Sequence, residues 1–313
     1  MNISNLVELL NAELIQEGSI LSIGGFALNL DELKPSYAFF CNDENKIKEA
    51  IQKGAYVIIY DKDIKITDKE LYYLKVQDLE NALFRLLRFL CEEKEYQFLF
   101  CSKRELSFCK AFGLKTLYGN IFLDFNSLNK AKKGEFFCFN EKEYLSKISV
   151  HCEVLEKTEV IKFENSTPFY SSFICNDLYF KKLNLPFLYI EIFSQLVAFC
   201  KKNQIKNHFN LNKLELFKIY FVNTSMEIVE FGSSSKAFIV VDNEQEFDFW
   251  QKHFDRFKGF KTALKNSLFC DFSYNEIKDL KKIKDFTYCV VLANTNEFEN
   301  AFKTSDTNTP SLF

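Results

Sequence analysis

Residues 33–61 read LKPSYAFFCNDENKIKEAIQKGAYVIIYD. Pro35 fixes a turn ahead of the short apolar run 37–41, which predicts a strand. Residues 46–53 read as a helix, and Gly54 supplies its stop, because glycine enters the left-handed region without a Cβ clash. The run AYVIIYD at 55–61 is nearly continuous in apolar residues, the pattern of a strand buried on both faces of a parallel sheet. Strand, helix and strand in this order predict an α/β domain.

Working outward, MNISNLVELLNAELI reads as one amphipathic helix, with Ser4 as N-cap and Leu6, Leu9 and Leu10 on one face. Gly24-Gly25 breaks the chain before the opening stretch. YYLKV at 72–76 is a further strand. Asp78 caps a helix that presents Leu79, Ala82, Leu83, Leu86, Leu87 and Leu90 at helical spacing. The first 90 residues therefore predict helix, strand, helix, strand, strand, helix. CEEKEY at 91–96 reads as a linker.

A second region opens with the strand QFLFC at 97–101 and a helix over 103–112 ended by Gly113. GEFFCFN at 134–140 is a strand followed by the helix EKEYLSKI. Residues 151–164 and 171–187 carry strand patterns, and 189–205 is an apolar helix on Ile192, Phe193, Leu196, Val197 and Cys200. From about residue 210 a third region holds the strand SKAFIVVDN, a helix capped by Asp242 or Asn243, and the buried strand FTYCVVLANTN at 286–296. The polar tail 303–313 is expected to be flexible.

Hydrophobic residues at 47% and charged residues at 27% exclude a disordered chain. Phenylalanine is abundant, at 37 residues against one tryptophan. Together with the many Lys, Asn and Ile it reads as the codon bias of an AT-rich genome before it reads as an aromatic platform. The net charge is −3, and the basic pairs Lys132-Lys133 and Lys281-Lys282 are interleaved with acids, so no nucleic-acid partner is expected. Ten cysteines form no CxxC pair, and most sit in apolar runs, where a free thiol packs as a small hydrophobe. No run approaches the roughly 18 apolar residues of a membrane helix. No secretory leader is recognisable, and a reduced, cytoplasmic setting is expected. His151, His208 and His253 are too scattered for a metal site. GSSSK at 232–236 reads as a polar hairpin loop rather than a phosphate cradle.

Three segments in order, NLDELKPSYAFFCN at 29–42, AIQKGAYVIIYD at 50–61 and KVQDLENALFRLLRFL at 75–90, resemble the N-terminal domain of the Mur ligases, MurF type first and MurE type next. Fainter likenesses follow at 139–148, 183–205 and 237–254. The resemblance implies a Mur-ligase-like multidomain α/β fold. Its parts would be a small N-terminal α/β domain (1–92), a reduced central parallel-sheet domain lacking a P-loop (97–206) and a truncated C-terminal α/β region (210–302). In that family ATP phosphorylates a UDP-muramoyl-peptide carboxylate, and an incoming amine displaces the phosphate.

That chemistry needs backbone N–H groups around phosphate, a lysine and a hydroxyl on Mg²⁺. The segment that would supply them, FLFCSKRELSF, holds no glycine, and only Ser102 and Lys103 there are able to touch phosphate. GLKT at 113–116 follows a helix rather than a strand. The family's DSR triplet stands here as Asn29-Leu30-Asp31, with a carboxylate that repels a pyrophosphate. Its GRHN segment is Phe187-Leu188-Tyr189-Ile190, and its magnesium-binding Glu and His segment is expected to be shortened away.

Asn29, Asp31, Ser102 and Lys103 are therefore the candidate ligand contacts, vestigial in character, with no catalytic residue, cofactor or metal expected. The function expected is a catalytically degenerate scaffold that binds a protein or a UDP-muramoyl-peptide. An active ligase with an unconventional site and an assembly protein unrelated to cell-wall precursors are the alternatives.

Overall fold

The computed structural model describes residues 1–303 apart from Asn42, Asn165, Ser166 and Asn207. The tail expected to be flexible lies outside the described residues from position 304 onward. The fold is mixed α/β, and the chain divides into two compact units, 1–156 and 157–313.

The first unit opens with α1 (Ile3–Leu10), whose cap is Asn2: its side chain accepts the Ser4 N–H. The helix expected to run on to residue 15 stops at Leu10. Asn11 turns left-handed (φ 53°), a conformation that Asn tolerates, and releases β1 (Glu13–Gln16). β2 (Gly25–Ala27), β3 (Tyr37–Phe40), β4 (Val57–Tyr60) and β5 (Tyr72–Lys75) complete a sheet of order β1-β5-β4-β3-β2. Only β1 is antiparallel to its neighbour. Every residue of β4 is buried, as its unbroken apolar run requires. α2 (Ile47–Gln52) covers one face with Ile47 and Ala50.

α3 (Leu79–Glu93) lies on the other face, capped by Asp78, whose carboxylate accepts the Asn81 N–H. It packs against the first sheet and also against α5 (Ile121–Asn129) and α6 (Lys142–Ile148), so one core joins all of them. The segment read as a linker is accordingly not one. Cys91 is buried in the last turn of α3, and the buried Tyr96 donates its O–H to the carbonyls of Leu128 (2.6 Å) and Ala131 (2.9 Å). β6 (Gln97–Phe100) and β7 (Phe136–Phe139) form a parallel pair. Single parallel bridges at Thr116 and Glu153 widen it on either side.

α4 (Lys103–Ala111) follows β6 and ends where Gly113 takes φ 77°. The loop before α5 is pinned by Asp124, which is fully buried. Its carboxylate accepts the N–H groups of Tyr118 (2.8 Å) and Gly119 (3.0 Å) and the Tyr144 O–H (2.7 Å).

In the second unit β8 (Val160–Phe163), β9 (Ser171–Cys175) and β10 (Leu178–Leu183) form an antiparallel sheet that packs on α7 (Ile190–Lys202). A six-stranded sheet of order β12-β11-β13-β16-β14-β15 follows. It is built from β11 (Lys218–Val222), β12 (Ile228–Val229), β13 (Lys236–Val241), β14 (Phe260–Lys265), β15 (Phe272–Tyr274) and β16 (Tyr288–Leu292). The four strands β13, β16, β14 and β15 run parallel. α8 (Glu244–Phe254), capped by Asn243, and α9 (Thr295–Phe302) pack on this sheet.

The phenylalanine excess goes largely inward here. Phe169 is ringed by Phe221, Trp250, Phe254 and Tyr288 at centroid distances of 5.1–6.4 Å. β14 and β15 are parallel neighbours joined only by residues 266–271, a link held by Asp271. The Asp271 carboxylate accepts the Thr262 N–H (2.8 Å) and hydroxyl (2.9 Å) and lies 3.1 Å from Lys261 Nζ.

Candidate functional site

β2 leads at its carboxyl end into a 3₁₀ turn, Leu30–Glu32. Asn29 occupies the cap position of that turn, exposed and with no side-chain cap bond, and Asp31 is exposed one residue into it. Asp31 opens onto a cleft of about 590 Å³ whose walls include Gly24, Gly25, Lys34, Tyr37, Lys94 and Lys130. Close approach of neighbouring side chains favours glycine at both positions. A Cβ on Gly25 would lie 2.7 Å from the Tyr37 ring, and one on Gly24 would lie 2.4 Å from Ser36 Oγ. The missing side chains let Tyr37 lie directly against the strand.

Most of the charge on this cleft is already engaged. Lys130 pairs with Glu32, and Lys94 donates to the carbonyls of Asn129 (2.8 Å) and Ala131 (3.5 Å) at the end of α5. Asn129 reaches back to donate its side-chain amide to the Phe26 carbonyl at 3.1 Å. The Asp31 carboxylate stands in the wall, and an anionic ligand entering there meets it directly.

Ser102 and Lys103 lie elsewhere, at the carboxyl end of β6, and neither lines that cleft. Only Cys101 and Ser102 separate β6 from α4. Ser102 is the N-cap: its hydroxyl accepts the Glu105 N–H (3.3 Å), and the Glu105 carboxylate accepts the Ser102 N–H (2.6 Å). This reciprocal box answers donors that a phosphate would otherwise use, and it stations a carboxylate at the start of the helix.

The neighbouring Cys101 is no better placed as a nucleophile. Its hydrogen bond with the Cys109 thiol, then burial, hold the Cys101 thiol far above its ordinary value. Cys109 is likewise raised: the bond from Cys101 lowers it, but Cys138 and burial outweigh that effect. A raised thiol is a poor source of thiolate.

The sequence singles out Asn29 and Asp31, and in it Gly24-Gly25 reads only as a break. It does not mark Tyr37, Lys94, Asn129 or Lys130, which reach the cleft from separate segments. The one local signal for the cleft was the glycine pair. Residues 232–235 of GSSSK lie in the loop between β12 and β13, which β11 separates in the sheet, so the loop is not the hairpin expected. Ser234 Oγ donates there to the Val222 carbonyl, and Lys236 opens β13. His253 sits half-buried on α8 with Nδ1 2.7 Å from the Phe249 carbonyl. Among the described residues, no three His, Cys, Asp or Glu side chains are grouped to hold a metal ion, and no helix is long and apolar enough to cross a membrane.

No family model and no curated protein matches the chain. Among solved structures it is similar to the MurF ligase of Thermotoga maritima in complex with ADP. Identity is 12% and TM-score 0.48, covering 89% of this chain and 96% of that one. It is also similar to MurF from Acinetobacter baumannii, at 11% identity and TM-score 0.47, over 96% of this chain and 86% of that one. A UDP-N-acetylmuramoyl-L-alanyl-D-glutamate–2,6-diaminopimelate ligase is similar at 8% identity and TM-score 0.44, over 92% of each chain. These are similarities of chain course at low identity.

Proposed function

We propose that this chain is a binding protein on a Mur-ligase-like scaffold that does not carry out ATP-driven ligation. The observation that carries the reading is the Ser102–Glu105 box. In the two-residue passage from β6 to α4 the Ser102 and Glu105 N–H groups are answered by the chain itself, with a carboxylate where a triphosphate would need neutralisation. The cleft beside Asp31 supports the same reading, since two of its three lysines, Lys94 and Lys130, are already engaged and a carboxylate faces the opening. In this reading Asn29, Asp31, Ser102 and Lys103 are vestiges of ligand contacts. A cytoplasmic location goes with it.

A protein partner is the ligand class favoured by the surface of the second unit. Leu268 and Phe269, between β14 and β15, are 94% and 93% exposed, and Ile161, Phe163 and Tyr179 are exposed on the antiparallel sheet. A UDP-muramoyl-peptide in the Asp31 cleft is the second reading, favoured by the resemblance of segments 29–42 and 50–61.

Calorimetric titration of the purified protein with Mg-ATP and, separately, with UDP-muramoyl tripeptide tests both. Absence of heat with Mg-ATP is expected. Saturable heat with the tripeptide assigns the cleft to precursor, and heat with neither leaves the protein-partner reading. Tight Mg-ATP binding overturns the proposal.

A further inference from the structure

A second pocket, of about 380 Å³, lies in the first unit between the end of α1, the junction of β5 with α3, and α6. Its apolar lining includes Leu10, Val76 and Phe84, all buried. Arg85 and Arg88, one turn apart on α3, and Lys147 on α6 bring three cations to it. Only one carboxylate lines the pocket, that of Asp78, and it is committed to capping α3.

Two features set these cations apart from a solvated helix face. The chain uses four arginines against thirty-six lysines, yet two of the four stand on this one pocket. Arginine differs from lysine in its rigid fork, which matches the oxygens of a phosphate or carboxylate two at a time. The second feature is pairing. Many lysines of this protein have a carboxylate within reach, as Lys53, Lys75, Lys115 and Lys130 do. Among the described residues Arg85 and Lys147 have none, and Arg88 stands 3.8 Å from Glu92. Lys147 is held instead over the Phe84 ring, 4.7 Å from its centroid, so the wall of the pocket orients its ammonium group. The pocket also sits at the carboxyl end of a parallel strand, the end at which open α/β sheets take their ligands.

We propose that this pocket binds an oxyanion carried on an apolar body, with Arg85 and Arg88 gripping the anion, Lys147 adding charge, and the apolar floor holding the body. The site is separate from the Asp31 cleft and does not depend on what that cleft binds. Phosphate and carboxylate share the chemistry, and the test distinguishes them.

The four arginine Nε–H signals of ¹⁵N-labelled protein are assigned with Arg85→Lys and Arg88→Lys and followed during titration with phenyl phosphate, phenylacetate or neutral benzyl alcohol. Saturable shifts are expected at Arg85 and Arg88, with Arg104 and Arg256 unmoved and benzyl alcohol without effect. Saturation with either anion supports the site and names its anion. In calorimetry the double variant R85A/R88A is expected to lose about ten-fold or more in affinity, and each lysine variant part of that, because lysine keeps charge without the fork. Both arginines are exposed on a helix, where alanine is well tolerated, and a circular dichroism spectrum checks that the variant is folded. Equal, unsaturating shifts at all four arginines, no binding of either anion, or unchanged affinity in R85A/R88A overturns the proposal.

Discussion

Replacing Asp124 with alanine tests the view that one buried carboxylate organises the loop ahead of α5. The wild-type carboxylate answers three donors: the Tyr118 and Gly119 amides and the Tyr144 hydroxyl. The Tyr144 O–H stays protonated across the ordinary pH range, since burial, then the bond to Asp124, raise it far above a free phenol. Removing the carboxylate strands all three donors, and at about 1–2 kcal/mol each the expected cost is about 4 kcal/mol. Tyr144→Phe removes one donor and leaves the acceptor two partners, for about 1.5 kcal/mol. The double variant no longer strands the hydroxyl, so it is expected to cost about 3 kcal/mol, less than D124A alone and well short of the sum, a coupling of about 2.5 kcal/mol. Urea unfolding followed by far-UV circular dichroism measures this. The single tryptophan, Trp250, lies in the second unit, so its fluorescence reports there and not on Asp124. Hydrogen exchange at the Tyr118 and Gly119 amides gives the local readout and should quicken in D124A. Strictly additive costs, or a D124A penalty below about 1 kcal/mol, would refute the reasoning.

Three further outcomes are expected. Burial opposes ionisation of Asp271, but the Thr262 and Lys261 bonds outweigh it and hold the carboxyl below its ordinary 3.8. A depressed acid stabilises the fold above its unfolded value and loses that contribution as pH falls through the folded value. Acid titration below about pH 4 should therefore destabilise wild type more than Asp271→Asn, and equal acid sensitivity would contradict the clamp. Eight of the ten cysteines are buried, and burial pushes the Cys91 thiol up to about 12, so a thiol reagent at neutral pH should modify the exposed Cys152 first. Cys152→Ser should remove the fast phase, and its persistence would place an accessible thiol elsewhere. Ser102→Ala should cost about 1 kcal/mol in urea unfolding as a lost helix cap, and a cost near zero would count against the box.

The parts legible in the sequence were those encoded within one window. Asp78 and Asn243 announce their helices because a cap is a bond between near neighbours, and Gly113 announces a stop because left-handed backbone selects glycine. β1 was hidden because the break depends on Asn11, a residue that a helix also accepts. α5 was passed over because Asp124 and Asn126 interrupt its apolar stripe, and only the fold supplies the amides and hydroxyl that make Asp124 welcome inside. The supposed linker failed for a similar reason: Glu92, Glu93 and Glu95 face solvent while Cys91 and Tyr96 face a core assembled from distant segments. The Asp31 cleft is the same problem at a site, since 24–37, 94 and 129–130 meet only after folding.

The short parallel connection between β14 and β15 bears on how the second unit comes together in time. Parallel strands ordinarily wait for a long crossover to close, and that closure slows their appearance. Here Ala263 meets Phe272 across a loop tied by Asp271, whereas Ala237 must find Tyr288 from about a third of the unit away. The entropy of closure grows with the length of the loop. The β14–β15 edge is thus the cheapest parallel contact in this sheet to nucleate, a ready template on which the distant strands can later zip.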